Sequence, residues 1–219
     1  MDRRTLYSGA SESSAIEINK VLRNTYMLLA LTIGFSAITA TITSMMNVGM
    51  IAYFAMFIGA FICMFIVNKK ADSAAGLFWI FAFTGLLGGS LGPMINMYLA
   101  AGAGHLVGQA LGATAIVFVT LSVYALISKK DFSFMGGFLM VGLVVAILGM
   151  IANFFFAMPA LSLAINALII LVMSGLILFD TSRIIHGGET NYIRATVGLY
   201  LSIYNIFISI LSLLGATDD

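Results

Sequence analysis

Asp180 is the residue of this sequence whose setting most suggests chemistry. It ends a long apolar run in ILFDTSRIIHGGETNYIR (177–194), and no other Asp or Glu lies inside such a run. An ionisable side chain at membrane depth is costly and marks a candidate functional site. One interpretation is a proton-sensitive latch, in which protonation releases a contact and opens the helices. The other is structural, an interfacial carboxylate paired with Arg183 one turn later. The sequence leaves both open.

Patterns that would indicate catalysis are weak. GGSLG (88–92) fits the G-x-S-x-G pattern of hydrolases, but that pattern requires a strand-turn-helix context and a nearby base. Ser90 lies within an apolar run instead. The sequence has no H-E-x-x-H, P-loop or carboxylate cluster. A single cysteine, Cys63, excludes an intramolecular disulfide and a thiolate metal site. Without a basic patch, nucleic-acid binding has no support. We therefore expect no enzymatic activity, no cofactor and no metal site.

The composition predicts the elements that must position Asp180. The 219 residues are 61% hydrophobic and 9% charged, whereas soluble domains carry about 25% charged residues. Mean hydropathy is +1.09. We predict an all-α membrane protein in which residues 24–214 form seven spans of about 20 apolar residues each. A polar tail (1–23) precedes the spans and a short segment (215–219) follows them. The predicted spans are roughly 24–44, 50–68, 74–98, 106–127, 134–156, 161–181 and 195–214.

The distribution of charge predicts the topology of these spans. All ten Lys and Arg residues lie in the N-terminal segment or in the loops after the second, fourth and sixth spans. The alternate loops contain none. By the positive-inside rule, the N-terminus is expected in the cytoplasm and the C-terminus outside.

Small and polar residues recur at helical spacing in several spans. Glycines four residues apart in the third span (85–92) and the fourth (104–112) predict close helix packing. In the seventh span one face carries a partly polar stripe, which indicates a buried helix. The stripe consists of Gly198, Ser202, Asn205, Ser209 and Ser212. It fits a packing interface or the lining of a permeation path, and the spacing alone does not separate the two.

Several segments resemble the Bax inhibitor-1 family. LFDTSRII (178–185) and TNYIRATVGLYLSIYNIF (190–207) are similar to the last two helices of that family. KVLRNTYMLLALTIGFSAITA (20–40), FAFTGLLGGSLGPMINMYLAAG (81–102) and IIHGGETNYIRAT (184–196) resemble its bacterial branch. The resemblance covers essentially the whole chain. It implies seven helices, with six surrounding a central seventh.

The resemblance implies two candidate activities. Some members are pH-dependent calcium leak channels closed by two aspartates, and Asp180 matches the first of these. Ser202 stands where relatives have the second, so the paired-carboxylate latch is incomplete. Asp180 would then need another partner, and Arg183 and Arg194 are nearest in sequence. With Ser202 and Asn205 they complete the candidate pH sensor and gate, and Ca²⁺ would be the permeant ion.

The second implied activity is modulation of a membrane-anchored AAA protease of the FtsH type. Such a protease grips an unstructured cytoplasmic end, and the polar tail that begins with Met1, Asp2, Arg3 and Arg4 is a candidate handle. An inert polar leader is the alternative interpretation of this tail. We expect a multi-pass protein of the bacterial inner membrane that modulates such a protease, with the pH-sensitive cation leak as the alternative.

Overall fold

The computed structural model describes residues 3–217, with side chains from residue 16 onward. The described residues form seven α-helices and no strand. Each helix is long and apolar enough to cross a membrane. The predicted all-α fold with seven spans is therefore confirmed. The helices are α1 (Arg3–Met45), α2 (Met50–Lys70), α3 (Ala75–Ala100), α4 (Gly104–Ser128), α5 (Gly136–Phe156), α6 (Pro159–Ile185) and α7 (Tyr192–Gly215), and a 3-10 turn (Ser133–Met135) precedes α5.

Helix α1 begins well before the predicted first span. Its 43 residues rise by about 65 Å, whereas the hydrocarbon layer is about 30 Å thick. The apolar part begins at Ile16. Residues 3–23 contain no proline, and a helix that is already nucleated extends readily into such a segment. The segment predicted to be a tail is thus a helical extension of α1, with Arg3 and Arg4 at its start, while Met1 and Asp2 lie outside the described residues.

Helix α7 lies at the centre of the bundle. It packs against α6, α4, α1, α3 and α2, whereas α5 packs on α6. Leu199, Ile206 and Leu211 of α7 are completely buried. The expected central seventh helix is confirmed, except that α5 lies outside the ring of helices that touch α7.

The glycines of α3 form a close contact with α1. A Cβ added at Gly88 would meet the backbone of Ser36, and one at Gly92 would lie 2.7 Å from the backbone nitrogen of Ser44. Pro93 lies in the same segment and cannot donate to the carbonyl of Gly89 four residues earlier. Thr43 of α1 supplies the missing donor, since its hydroxyl lies 2.8 Å from that carbonyl oxygen. The packing predicted for the third span is confirmed.

The glycines of α4 behave differently. An added Cβ at Gly108 or Gly112 would have nothing within 4 Å, and one at Gly104 would meet the side chain of Leu99, at the end of α3. The prediction of close helix packing is therefore wrong for Gly108 and Gly112. Both glycines are exposed on the surface of the bundle. Periodicity groups residues on one face of a helix but does not say whether a neighbouring helix covers that face.

Candidate functional site

Asp180 lies near the end of α6 and faces α7. Its carboxylate fills the space beside Gly198, where an added Cβ would lie 2.7 Å from Oδ2. The side chain is half-buried. A larger residue at position 198 would displace the carboxylate. Gly198 is the first residue of the polar stripe of α7, so Asp180 faces one end of that stripe.

Neither of the arginines expected beside Asp180 forms an ion pair with it. Arg183 lies 3.8 Å from the carboxylate of Glu189 and donates to the carbonyl of Gly188 at 3.2 Å. Arg194 forms an ion pair with Asp72, at 2.7 Å. The expected pairing of Asp180 with Arg183 or Arg194 is therefore not present. The long guanidinium side chains reach carboxylates and carbonyls of the exposed loops, where a charge is better solvated than between packed helices.

Ser202 and Asn205 lie farther along α7. Ser202 is almost completely buried, and it follows Gly198 by four residues, so it lies on the same face about 6 Å along the helix axis. Asn205 donates to the carbonyl of Leu201 in its own helix, at 2.8 Å. It borders a cavity of about 60 Å³ beside α2 and α3, which has room for only a few water molecules. Asn205 therefore belongs to a different contact from that of Asp180.

The other end of the stripe joins α7 to α6. Asn166 of α6 donates to Ser212 of α7 at 3.1 Å. The same amide also donates to the carbonyl of Ser162 within α6, at 2.9 Å. At this end the polar stripe acts as a packing contact.

Asn191 fastens the loop between α2 and α3 to the start of α7. Its side-chain oxygen accepts hydrogen bonds from the backbone N–H groups of Ile193 and Arg194, which caps the helix. Its amide nitrogen donates to the carbonyl of Ala71 at 3.0 Å and to the carboxylate of Asp72 at 2.7 Å. The cap and the ion pair of Arg194 thus hold one basic loop against α7. No pattern in the sequence predicted this cluster.

Ser182 fastens the loop between α4 and α5 to α6 in a similar way. Its hydroxyl accepts from the N–H of Phe132 at 2.9 Å and donates to the carbonyl of Lys130 at 3.2 Å. In the same loop the side chain and backbone of Ser133 donate hydrogen bonds to Asp131, which holds the pKa of that carboxyl below its usual value. Hydrogen bonds therefore hold one basic loop to the end of α6 and the other to the start of α7.

Two tyrosines of α7 were also missed. Tyr200 shares a hydrogen bond of 2.6 Å with Ser36 of α1 and donates to the carbonyl of Thr84 of α3 at 3.2 Å. Tyr204 shares one of 3.1 Å with Ser90. The two tyrosines are four residues apart in an apolar span and therefore share a face of the helix. Because a buried Tyr hydroxyl needs a partner, this spacing could have predicted polar contacts with neighbouring helices. Ser90, the serine of the G-x-S-x-G pattern, is thus a buried packing contact within α3.

The site has limited chemical capacity. Among the described residues no three His, Cys, Asp or Glu side chains cluster in a way that could hold a metal ion. The arrangement that remains is a single carboxylate at a helix contact, beside two loops that carry positive charge.

Comparison with known proteins identifies relatives along almost the whole chain. The model of the family described as Inhibitor of apoptosis-promoting Bax1 matches residues 18–219. The "Modulator of FtsH protease YccA" of Escherichia coli strain K12 is 52% identical over 212 residues, 97% of each chain. An uncharacterized membrane protein of Vibrio cholerae is 49% identical over 212 residues, 96% of this chain and 95% of the relative. An uncharacterized protein of Helicobacter pylori strain J99 is 33% identical over 218 residues, 99% of this chain and 95% of the relative.

Proposed function

The chain belongs to the Bax inhibitor-1 family of inhibitors of apoptosis-promoting Bax1, and we propose that it modulates a membrane-anchored AAA protease of the bacterial inner membrane. The observation that carries this proposal is its similarity to the E. coli modulator of FtsH protease. That alignment covers 97% of the chain, whereas the family model begins only at residue 18. The relative therefore shares most of the N-terminal segment in addition to the seven spans.

The handle for the protease is the N-terminal segment. The arrangement of Lys and Arg supports a cytoplasmic location for this segment, the side on which an AAA protease of this type works. As a helical extension of α1, residues 3–15 project beyond the apolar part that begins at Ile16. The ends of a helix fray more readily than its middle. A protease can therefore unwind such an end more easily than the packed spans.

Reconstitution with an FtsH-type protease tests this function. The purified protease and the full chain are placed together in proteoliposomes, and the degradation rate of a second membrane-protein substrate is measured. The full chain should slow that degradation, and deletion of residues 1–14 should restore the rate seen without the protein. Deletion of residues 216–219, at the opposite end, serves as the control and should still slow degradation. An unchanged rate with the full chain would refute the proposal, and equal inhibition by the 1–14 deletion would refute the handle.

A second candidate function is a proton-sensitive cation leak with Ca²⁺ as the permeant ion. It is favoured by the carboxylate of Asp180, which lies between α6 and α7 without an ion pair among the described residues. Two features argue against it. Ser202 replaces the second acid that the family resemblance implies, and Leu199, Ile206 and Leu211 are fully buried along α7.

Calcium flux into liposomes between pH 6 and pH 8 tests the second candidate. The proteins compared are the native chain, Asp180→Asn and Ser202→Asp, with Ser202→Asn as the uncharged control for the last. If Asp180 gates the leak, the calcium flux of the native chain should depend on pH and Asp180→Asn should alter that dependence. If the gate lacks only its second acid, Ser202→Asp should create or steepen the pH dependence of the flux, whereas Ser202→Asn should not. No flux in any of these folded, reconstituted proteins would eliminate the leak.

A further inference from the structure

A large crevice separates α1 from α4. It is a cavity of about 580 Å³ whose floor is formed by α7 and one end by α3. Its walls include Ala37 and Thr41 of α1 and Ala115 and Val119 of α4, and its floor includes Tyr200 and Tyr204. The crevice is separate from Asp180, and neither candidate function uses it.

The crevice opens sideways, toward the bilayer. Among the described residues, no Cα atom of α1 comes within 8 Å of one in α4. On its α4 wall Leu111 is 56% exposed and Val119 is 55% exposed. At the end nearer the basic loops, the rings of Tyr26 and Phe118 approach to 6.1 Å and narrow the gap. Since both helices span the membrane, the opening faces lipid hydrocarbon rather than water.

The polar groups on the crevice wall already have hydrogen-bond partners. Tyr200 shares its hydroxyl bond with Ser36, and Tyr204 with Ser90. The hydroxyls of Thr41 and Thr114 donate to carbonyls one turn earlier, at 2.9 Å and 2.7 Å. The remaining wall is apolar. A cavity without unsatisfied polar groups gives water too few partners and stays dry, so its occupant must be apolar.

The length and width of the crevice indicate what kind of apolar molecule it can bind. The lining of α4 extends from Val107 to Val119, a distance of about 18 Å along the helix axis. One leaflet of a hydrocarbon core of about 30 Å is about 15 Å thick. The volume of about 580 Å³ divided by that length gives a cross-section of about 32 Å². The crevice is therefore long and narrow, as a site for a single extended chain must be.

The crevice lies at the depth of a single leaflet of the bilayer. Its lining on α1 lies between Ile33 and Thr41, close to the end of that helix at Met45, and its lining on α4 begins soon after Gly104. Those two helix ends lie on the side whose loops carry no Lys or Arg. We propose that this crevice binds one acyl chain of a phospholipid from the leaflet on that side, and that the chain enters sideways between α1 and α4.

Photolabelling tests the site in the full chain. The protein is reconstituted in nanodiscs of phosphatidylethanolamine and phosphatidylglycerol that contain a small fraction of a phospholipid with a diazirine midway along one acyl chain. After irradiation, labelled peptides are mapped by mass spectrometry. Label should concentrate on the segments that contain Ala37 and Ala115. Ala115→Trp should reduce the label on the α1 segment severalfold because the indole fills the crevice, whereas Ala55→Trp, at an exposed position of α2 outside the crevice, should not.

Two results would overturn the proposal. The first is a loss of site selectivity in the photolabelling. It would be seen as label spread equally over the exposed faces of α2 and α5, or as an unchanged amount of label on the α1 segment of a folded Ala115→Trp protein. Folding of both variants is checked by the temperature at which the buried Cys63 becomes reactive. The second is rapid reaction of Ala37→Cys, in a Cys63→Ala background, with a charged thiol reagent that does not enter membranes. That reaction would show a water-filled crevice, and a lipid-filled crevice requires Ala37→Cys to stay unreactive.

Discussion

Replacement of Gly92 by alanine should destabilise the protein, whereas the same replacement at Gly112 should not. An added Cβ at position 92 would lie 2.7 Å from the backbone nitrogen of Ser44. Ordinary contacts begin at 3.4 Å, so α1 and α3 must separate locally by roughly 0.7 Å, a shift of the size that overpacked cores make at a cost. At position 112 the added Cβ would meet nothing within 4 Å.

The expected magnitude combines three contributions. Overpacking of a tight contact costs about 1–3 kcal/mol. The Cβ would also displace the hydroxyl of Thr43, its nearest neighbour, and a buried carbonyl left without its donor costs about 1–3 kcal/mol. The change from glycine to alanine within a helix returns about 1 kcal/mol. The net loss for Gly92→Ala is roughly 1–5 kcal/mol, which corresponds to a fall in Tm of roughly 2–20 °C. Gly112→Ala retains only the favourable contribution.

The single cysteine provides the assay. Cys63 is 8% exposed, so a maleimide dye that fluoresces on reaction with a thiol reports unfolding during heating in detergent. Gly92→Ala should react at a lower temperature than the native chain, and Gly112→Ala at the same or a higher one. Equal Tm values for the two variants would refute the argument that the α1–α3 contact depends on these glycines.

Three further predictions concern side chains that form hydrogen bonds. Thr43→Val keeps the shape of the side chain but removes the donor to the carbonyl freed by the proline of α3, and it should lower the free energy of unfolding by about 1–3 kcal/mol in the thiol assay. Asn191→Ala removes both the cap of α7 and the bonds to the α2–α3 loop, so its loss in that assay should exceed that of Arg194→Ala, whose exposed ion pair contributes about 0–1 kcal/mol. Ser133→Ala should raise the pKa of Asp131 toward its usual value, measured by NMR of labelled aspartate. Because the pKa is lowered in the folded chain, the associated stabilisation is present at neutral pH and is lost as the pH falls through the lowered value.

Each of these predictions has a contradicting outcome. A Thr43→Val protein as stable as the native chain would mean that the proline leaves no carbonyl in need of a donor. A larger loss for Arg194→Ala than for Asn191→Ala would mean that charge, rather than capping, holds the loop. A pKa of Asp131 that does not move in Ser133→Ala would remove the hydroxyl of Ser133 as a cause of its shift and leave the backbone N–H at that position.

The number of helices could be predicted from the sequence because hydropathy depends only on local composition. The partners of Arg183 and Arg194 could not, because they depend on how the loops return to the bundle. Spacing placed Asp180 near the arginines along the chain, but Asp72 reaches Arg194 from a loop more than a hundred residues earlier. The glycines of α3 and α4 also show that spacing along the chain does not predict which residues have neighbours in the bundle. The same four-residue spacing gives a close helix contact in α3 and an exposed surface in α4.

The part of α1 around Thr25 and Tyr26 lies between the proposed handle and the region of Asp180. The carbonyl of Thr25 accepts a hydrogen bond from Thr196 of α7 at 3.3 Å, and the hydroxyl of Tyr26 lies 3.4 Å from that of Thr181, the residue after Asp180. Deletion of residues 1–14 leaves Thr25 and Tyr26 in the chain, so it removes the handle without removing these two contacts. The deletion should therefore abolish inhibition of the protease and leave any calcium flux unchanged. A flux that changes on deletion would contradict this separation and would make the N-terminal segment part of the gate.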